Sequence, residues 1–159
     1  MNISDLTEHG IIEMGDFILK NGSHSKYYVN MKNAISIPHI MKKIMNGFKR
    51  LLNDIDTSNC VICGVPDGAV PYASMLSYET GIPLIMIRRE KKDYGTKKMI
   101  EGIYSEDSNV ILIEDVITTG SSMIECAKKL ETEGLKITKM LSVVSRHVGI
   151  SPDFTKSKL

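Results

Sequence analysis

Short apolar runs alternate with amphipathic segments along most of this chain. Four apolar runs have the length of strands buried in a sheet: 60–65, 83–87, 110–113 and 137–144. Three segments carry apolar residues at helical spacing: 38–52, 71–79 and 123–130. Strands that alternate with helices in this way favour a parallel sheet with helices on both faces. The pattern therefore predicts an α/β fold, with Pro38 as the first residue of its helix.

The N-terminal part of the chain departs from this alternation. Gly15–Lys20 and Lys26–Asn30 are strand-like runs on either side of Asn21 and Gly22, a pair that favours a turn. We expect a hairpin there with a loop longer than two residues. A short helix over 4–9, ended by Gly10, is expected before it.

Composition and charge give no sign of a nucleic-acid or membrane partner. With 159 residues, 42% hydrophobic and 25% charged, the chain is most simply one soluble domain. The net charge is only +1. No apolar run approaches the roughly 20 residues that span a bilayer, and the N-terminus lacks the basic and apolar regions of a signal peptide. We therefore expect a cytoplasmic protein.

Two of the three cysteines form a C-x-x-C, a spacing found in redox and zinc sites. Cys60 and Cys63 lie in an apolar run, however, where an offset of three puts the side chains on opposite faces of a strand. No second pair is present in the sequence to complete a zinc site. Buried structural thiols are favoured, and Cys126 fits the core of a helix.

The most informative stretch is Val110–Ser122, VILIEDVITTGSS. A buried strand is followed by Glu114 and Asp115, then by the hydroxyl-rich loop Thr118–Ser122 and a helix. Backbone N–H groups and hydroxyls at a helix N-terminus favour an anion such as phosphate. Carboxylates beside it suit a sugar diol or hydrated Mg²⁺. Phosphate and diol together describe a ribose 5-phosphate.

This stretch resembles the phosphoribosyl-pyrophosphate (PRPP) binding motif of type I phosphoribosyltransferases. A plain strand and helix, with Ser121 or Ser122 as the cap, is the alternative, but it does not explain two adjacent acids. The resemblance implies that family's fold: a central, mostly parallel sheet flanked by helices, an N-terminal hood hairpin and a flexible catalytic loop. It implies one domain over 1–159, with a hood over about 1–35, a core over about 36–146 and a short tail over 147–159.

A second loop with glycines follows the run at 60–65. Glycines there let backbone amides approach a ligand closely, although an ordinary turn has the same composition. In the type I transferases the matching position is the loop that holds pyrophosphate. The resemblance assigns that role to Val65, Pro66, Asp67 and Gly68.

The polar segment 88–102 resembles the catalytic loop of orotate phosphoribosyltransferases, especially the domain in bifunctional uridine-monophosphate synthases. It contains R-x-x-x-K-D-Y-G-T-K and a following E-G. The alternative for such a charge run is a solvated loop. The hairpin resembles the orotate-side segment of the same branch, and Val143–Arg146 resembles the strand whose arginine contacts the orotate carboxylate.

The resemblance implies transfer of the phosphoribosyl group from PRPP to orotate in a homodimer, with loop residues reaching the partner subunit's site. Catalysis would fall to Lys92, Asp115 and Glu114. Orotate would contact Lys20, Tyr27, Tyr28 and Arg146. PRPP would be bound by residues of three segments: Arg88, Arg89, Lys92, Tyr94, Glu114, Asp115, Thr118, Thr119, Gly120, Ser121 and Ser122. Mg²⁺ would bind through PRPP, without a dedicated set of protein ligands.

Three departures from the family pattern keep other functions open. Arg89 stands where lysine is usual, and Ser145 replaces a common aspartate. The chain ends at Leu159, about one strand and one helix earlier than a typical member. The alternatives are a regulator that binds PRPP or a nucleotide without catalysis, and a phosphoribosyltransferase for another base.

Overall fold

A computed structural model describes residues 3–19, 22–90 and 98–146 of the chain. The chain divides into two compact units, Met1–Asn46 and Gly47–Leu159, and the division falls within one helix. Within the described ranges, no helix combines the length and apolar character needed to cross a membrane.

The N-terminal unit is built around a hairpin. Its elements are α1 (Ile3–Glu8), β1 (Ile12–Ile18), β2 (His24–Val29), α2 (Met31–Ala34) and the first part of α3 (Pro38–Leu52). β1 and β2 pair antiparallel, which confirms the expected hairpin. Gly22 takes a positive φ of 79° in the connection, a conformation that glycine adopts without strain. Helix α3 begins at Pro38, as predicted.

The second unit is an α/β sheet with its helices. Its further elements are β3 (Cys60–Gly64), α4 (Val70–Thr80), β4 (Leu84–Ile87), β5 (Ile100–Glu101), β6 (Asn109–Ile117), α5 (Ser121–Thr132) and β7 (Lys136–Ser145). The strand order is β5-β4-β3-β6-β7. β3, β4, β6 and β7 run parallel, while β5 is antiparallel to β4 at the edge. The predicted mostly parallel sheet is confirmed.

The centre of the sheet is covered on both faces. All of β3 is buried, and so are residues 110–114 of β6, as expected for parallel strands beneath helices. Cys60, Cys63 and Cys126 are buried free thiols, which confirms their structural interpretation.

The order of the strands creates a crevice between β3 and β6. From β3 the chain passes through α4 to β4 on one side, and from β6 it passes through α5 to β7 on the other. Because parallel crossovers are right-handed, the two connections leave toward opposite faces of the sheet. Ligands of such sheets bind at this reversal, beyond the carboxyl ends of the strands.

Candidate active site

The loops that follow the parallel strands lie at one edge of the sheet. The Val65 N–H donates to the carbonyl of Ile113 at 2.9 Å, so the start of the loop after β3 is bonded to β6. The Arg146 N–H donates to the carbonyl of Ile117 at 2.9 Å, which places Arg146 beside the end of β6 from the other side. The segments that follow β3 and β7 are thus hydrogen-bonded to β6, the strand that carries the acids.

The acid pair lies inside β6 and does not follow it. The apolar run predicts a strand that ends at Ile113, whereas β6 continues to Ile117. The Asp115 N–H donates to Glu114 Oε1 at 3.2 Å, and the Val116 N–H donates to Asp115 Oδ1 at 2.8 Å. Glu114 is only 7% exposed, so the two acids have different environments.

Burial gives the two acids different chemistry. Burial first, then the hydrogen bond and charge of Asp115, raise the pKa of Glu114 to about 8. Glu114 is therefore mostly protonated at neutral pH and can donate a hydrogen bond. The site thus offers a proton donor and an acceptor carboxylate side by side.

Tyr72 of α4 is a neighbour of the acid pair that sequence reasoning missed. Its side chain is fully buried, and burial together with the charge of Asp115 raises the pKa of its phenol. In the sequence it is one more apolar position of a helix. Only the packing of α4 against the sheet reveals its relation to Asp115.

The predicted pyrophosphate loop packs directly on Asp115 of the acid pair. A Cβ on Gly68 would overlap the carboxylate of Asp115, so glycine allows this approach without displacing the carboxylate. A Cβ on Gly64 would lie 2.9 Å from backbone atoms of Ala69 and Val70. The Pro66–Asp67 peptide is cis. The structure therefore brings the loop and Asp115 together.

The loop after β6 is open and polar. Thr119 Oγ1 and Ser121 Oγ lie 3.0 Å apart, and both residues are exposed. Gly120 is the N-cap of α5 with a positive φ of 79°, and this N-cap residue makes no side-chain capping hydrogen bond. Capping by Ser121 or Ser122, the plain alternative for these residues, is therefore wrong. Hydroxyls and the helix N-terminus remain available to an anion.

The two ends of the polar segment 88–102, the predicted catalytic loop, lie at this edge. The Arg88 N–H donates to the carbonyl of Met99 at 3.0 Å, and the Arg88 guanidinium donates to Glu101 Oε1 at 3.0 and 2.6 Å. Arg89 forms an ion pair of 2.5 Å with Asp67. Lys129 of α5 donates to the Arg89 carbonyl at 3.3 Å. These contacts join the predicted pyrophosphate loop and helix α5 to the base of the polar segment 88–102.

The remainder of that segment, 91–97, lies outside the described residues, and with it Lys92, Tyr94 and the expected flexible loop. Of the predicted orotate residues, Lys20 also lies outside them. Tyr27 and Tyr28 are 38% and 41% exposed on β2, and the Tyr28 and Phe17 rings have centroids 5.5 Å apart.

Comparison with known proteins identifies the family. A model of the phosphoribosyl transferase domain matches residues 31–158. An orotate phosphoribosyltransferase of Pyrococcus abyssi is 38% identical over 151 residues, which cover 95% of this chain and 83% of that protein. A uridine 5'-monophosphate synthase of Bos taurus is 35% identical over 147 residues, which cover 92% of this chain and 31% of that protein.

The fold agrees with a solved structure. The crystal structure of an orotate phosphoribosyltransferase from Aeropyrum pernix matches with a TM-score of 0.78 over 92% of this chain and 94% of that one. At 23% identity this likeness supports the fold alone. Together with the sequence relatives, it shows that the chain belongs to the phosphoribosyl transferase family, in its group of orotate phosphoribosyltransferases.

Proposed function

We propose that the chain is an enzyme that transfers the 5-phosphoribosyl group from PRPP to orotate, a step of pyrimidine biosynthesis. The observation that carries the proposal is the contact between Gly68 and the Asp115 carboxylate at the carboxyl edge of the sheet. It joins a glycine loop suited to pyrophosphate to an acid suited to ribose. Relatives named for this activity, at 38% identity over most of the chain, support it.

The ribose 5-phosphate binds to the open loop after β6. Thr118, Thr119, Ser121 and Ser122 supply hydroxyls there. The N-terminus of α5 adds backbone donors and a positive dipole end, and the positive φ of Gly120 shapes the approach. Both kinds of donor suit a phosphate dianion.

The ribose hydroxyls bind to the acid pair. Asp115 accepts hydrogen bonds from these hydroxyls. Glu114 Oε1 accepts a hydrogen bond from the Asp115 N–H at 3.2 Å, so Glu114 contacts the backbone of the residue that binds the sugar. Because Glu114 is 7% exposed, Asp115 is the group that meets the sugar directly. The Val116 N–H, which donates to Asp115 Oδ1 at 2.8 Å, keeps that carboxylate oriented.

Pyrophosphate binds to the loop Val65–Gly68 and to residues of the polar segment 88–102. Arg88, Arg89, Lys92 and Tyr94 are the proposed ligands of its oxygens. Arg89 must exchange Asp67 for pyrophosphate, and Arg88 must exchange or share Glu101. Substrate binding is therefore an exchange of ion-pair partners, which costs less than exposing free charges.

Orotate binds to Lys20, Tyr27, Tyr28 and Arg146. Cationic groups suit its carboxylate, and a bidentate guanidinium suits it best. During the reaction the C1–O bond to pyrophosphate breaks, and its electron pair leaves with pyrophosphate. N1 of orotate bonds to C1, and the proton released from N1 passes to the departing pyrophosphate. The ribose gains oxocarbenium character meanwhile, so the enzyme acts mainly by stabilising charge.

The residues present fit the Mg²⁺ that the family implies. Carboxylate and hydroxyl oxygens surround the proposed PRPP site, and these are the donors that Mg²⁺ prefers. The ion would be held mostly by phosphate oxygens of PRPP, with Asp115 as a protein carboxylate beside it. When bound, Mg²⁺ supplies neutralisation of phosphate charge. The proposed enzyme is cytoplasmic and acts as a homodimer.

The test is pyrophosphate release by the purified chain supplied with PRPP, Mg²⁺ and orotate, with uracil and hypoxanthine as parallel acceptors. Release with orotate alone is expected. Release with another base would overturn the assignments of Tyr28 and Arg146. Binding of PRPP without release would instead indicate a regulator.

Lys92 is the residue expected to contribute most to catalysis. Lys92→Ala should lower kcat at least ~100-fold, because one charged contact to the transition state is lost. Lys98→Ala, an exposed lysine of the same segment, is the matched control and should leave kcat unchanged. A fully active Lys92→Ala variant would contradict the assignment.

Mixing variants tests whether Lys92 acts in the partner subunit's site. Lys92→Ala and Arg146→Ala are each expected to be inactive alone. If Lys92 crosses to the partner, mixed dimers regain one intact site, and activity should return to about a quarter of the wild-type value. No recovery, with mixed dimers shown to form, would place Lys92 in its own subunit's site.

A further inference from the structure

The N-terminal unit contains a cluster of metal-ligating side chains that the proposed reaction does not use. Asp5 and His9 lie one helical turn apart at α1, and His39 lies in the first turn of α3. Asp5 Oδ1 is 3.9 Å from Nε2 of His9 and 3.3 Å from Nε2 of His39. The ligand atoms of the three residues all lie within 4.8 Å of one another.

These distances suit a small tetrahedral ion. Zinc binds imidazole nitrogen and carboxylate oxygen at about 2.0–2.2 Å, so ligand atoms around it lie about 3.4 Å apart. Both imidazoles approach the same carboxylate oxygen through Nε2, with ring centroids 5.8 Å apart and planes at 62°. We propose that Asp5, His9 and His39 form a zinc site, with water as the fourth ligand.

The donor set selects against Mg²⁺. Imidazole nitrogen favours Zn²⁺ and related transition-metal ions, whereas Mg²⁺ takes oxygen ligands. This site is therefore chemically distinct from the Mg²⁺ that accompanies PRPP. Its two histidine side chains are exposed enough for an ion to enter, at 39% and 54% for His9 and His39.

Lys43 tunes the site and does not block it. Its ammonium lies 3.1 Å from Asp5 Oδ2, while the imidazoles approach Oδ1. A bound dication would nevertheless be repelled by the ammonium, so Lys43 weakens affinity.

The role of the metal is structural. No residue of helix α1 is buried. Just after the helix, the Ile11 N–H donates a hydrogen bond to the Leu6 carbonyl. An ion shared by Asp5, His9 and His39 would cross-link α1 to α3. Because it binds only the folded arrangement, zinc should raise the Tm of the protein.

The experiment measures Zn²⁺ binding by titration calorimetry and Co²⁺ binding by visible absorption, using the full chain. One ion per chain is expected, with at least about a 5 °C rise in Tm at saturating zinc. His9→Gln and His39→Gln should each weaken binding at least about tenfold. His24→Gln, an exposed histidine of β2 outside the cluster, is the matched control and should bind like the wild type.

Lys43→Gln provides a gain-of-affinity test that leaves the ligands intact. Removal of the neighbouring cation should tighten zinc binding roughly tenfold. Wild-type affinity weaker than about 100 µM would overturn the proposal. So would unchanged affinity in the folded His9→Gln and His39→Gln variants, because the ion would then bind elsewhere. Circular dichroism establishes that each variant is folded.

Discussion

The loops after β3 and β6 leave neighbouring parallel strands at the same edge of the sheet, yet they are held in different ways. The end of β3 and the loop after it pack against other elements. Gly64, the last residue of β3, lies against the start of α4, and Gly68 of the loop lies against Asp115 of β6. In the loop after β6, the Thr119 and Ser121 hydroxyls contact each other, and the Ser121 N–H lies 3.4 Å from Thr119 Oγ1. The conformation of the first loop depends on contacts with other elements, whereas that of the second depends on contacts between its own residues.

This difference separates stability from ligand binding. One side of the site has close contacts and a buried acid, and we name it the packed side: Gly64, Gly68, Glu114 and Asp115. The side formed by Thr118–Ser122, here named the open side, keeps hydroxyls exposed to solvent. Changes on the packed side should therefore alter the free energy of unfolding, whereas changes on the open side should alter substrate affinity alone.

The largest expected effect is a pH dependence from Glu114. Its pKa is about 8 in the folded protein and 4.5 as the reference value, so the folded state holds a proton that the unfolded state releases. Stability should therefore fall as pH rises from 5 to 8, by about 3 kcal/mol from this group. Glu114→Gln should remove that slope in urea unfolding measured at several pH values.

The exposed Glu106 is the matched control for this change. Glu106→Gln should keep the wild-type dependence of stability on pH, because Glu106 is exposed and belongs to neither side of the site. A Glu114→Gln variant with the wild-type slope would show that the burial of Glu114 is not what sets it.

Gly64→Ala should give the next largest effect. The added Cβ would lie 2.9 Å from backbone atoms of Ala69 and Val70, which cannot rotate away as a side chain could. We expect a loss of about 2 kcal/mol in the free energy of unfolding, measured with urea. Gly47→Ala is the control, because nothing lies within 4 Å of its Cβ position in α3. That change should stabilise the protein by about 0.5–1 kcal/mol, and equal effects at the two glycines would refute the packing argument.

The same contrast explains what the sequence could predict. The open side is local: strand, loop and helix follow one another within 110–122, and the pattern identifies them. The packed side is not local. The contact between Gly68 and Asp115 joins different elements, and the relation of Tyr72 to Asp115 requires the packing of α4.

The apolar pattern predicts an end of β6 that is four residues too early, at Ile113 instead of Ile117, for a related reason. Glu114 and Asp115 interrupt the apolar run, so the pattern ends the strand before them. Strand pairing uses backbone groups, however, and β7 continues to pair beyond the acids, with Val116 opposite Val144 and Ile117 opposite Ser145. A strand can therefore continue through polar residues at the carboxyl end of the sheet when the neighbouring strand continues to pair with it.

On the open side, loss of the hydroxyls should affect only substrate binding. The double variant Thr119→Ala and Ser121→Ala should raise the KM for PRPP about tenfold, because hydrogen bonds to a charged phosphate are lost. Its urea midpoint should stay within experimental error of the wild type. Thr132→Ala removes an exposed hydroxyl at the other end of α5 and should change neither quantity. A large loss of stability in the double variant would erase the distinction between the two sides.

The smallest expected effect lies at the exposed rim of the packed side, where Asp67 pairs with Arg89 at 2.5 Å. Both side chains are largely exposed, at 73% and 68%, so the pair should contribute less than about 1 kcal/mol to stability. Its importance is electrostatic, because a carboxylate in a loop proposed for pyrophosphate repels the substrate and occupies Arg89.

Asp67→Ala should therefore lower the KM for PRPP about threefold at low ionic strength, with a smaller difference at high salt. Asp107→Ala removes the same charge from another exposed loop position and separates a local effect from one of net charge. A higher KM in Asp67→Ala alone would mean that the carboxylate holds Arg89 in the geometry that pyrophosphate needs. In that case Asp67 would act by positioning Arg89, although its side chain is exposed. The packed side would then include this exposed residue as well.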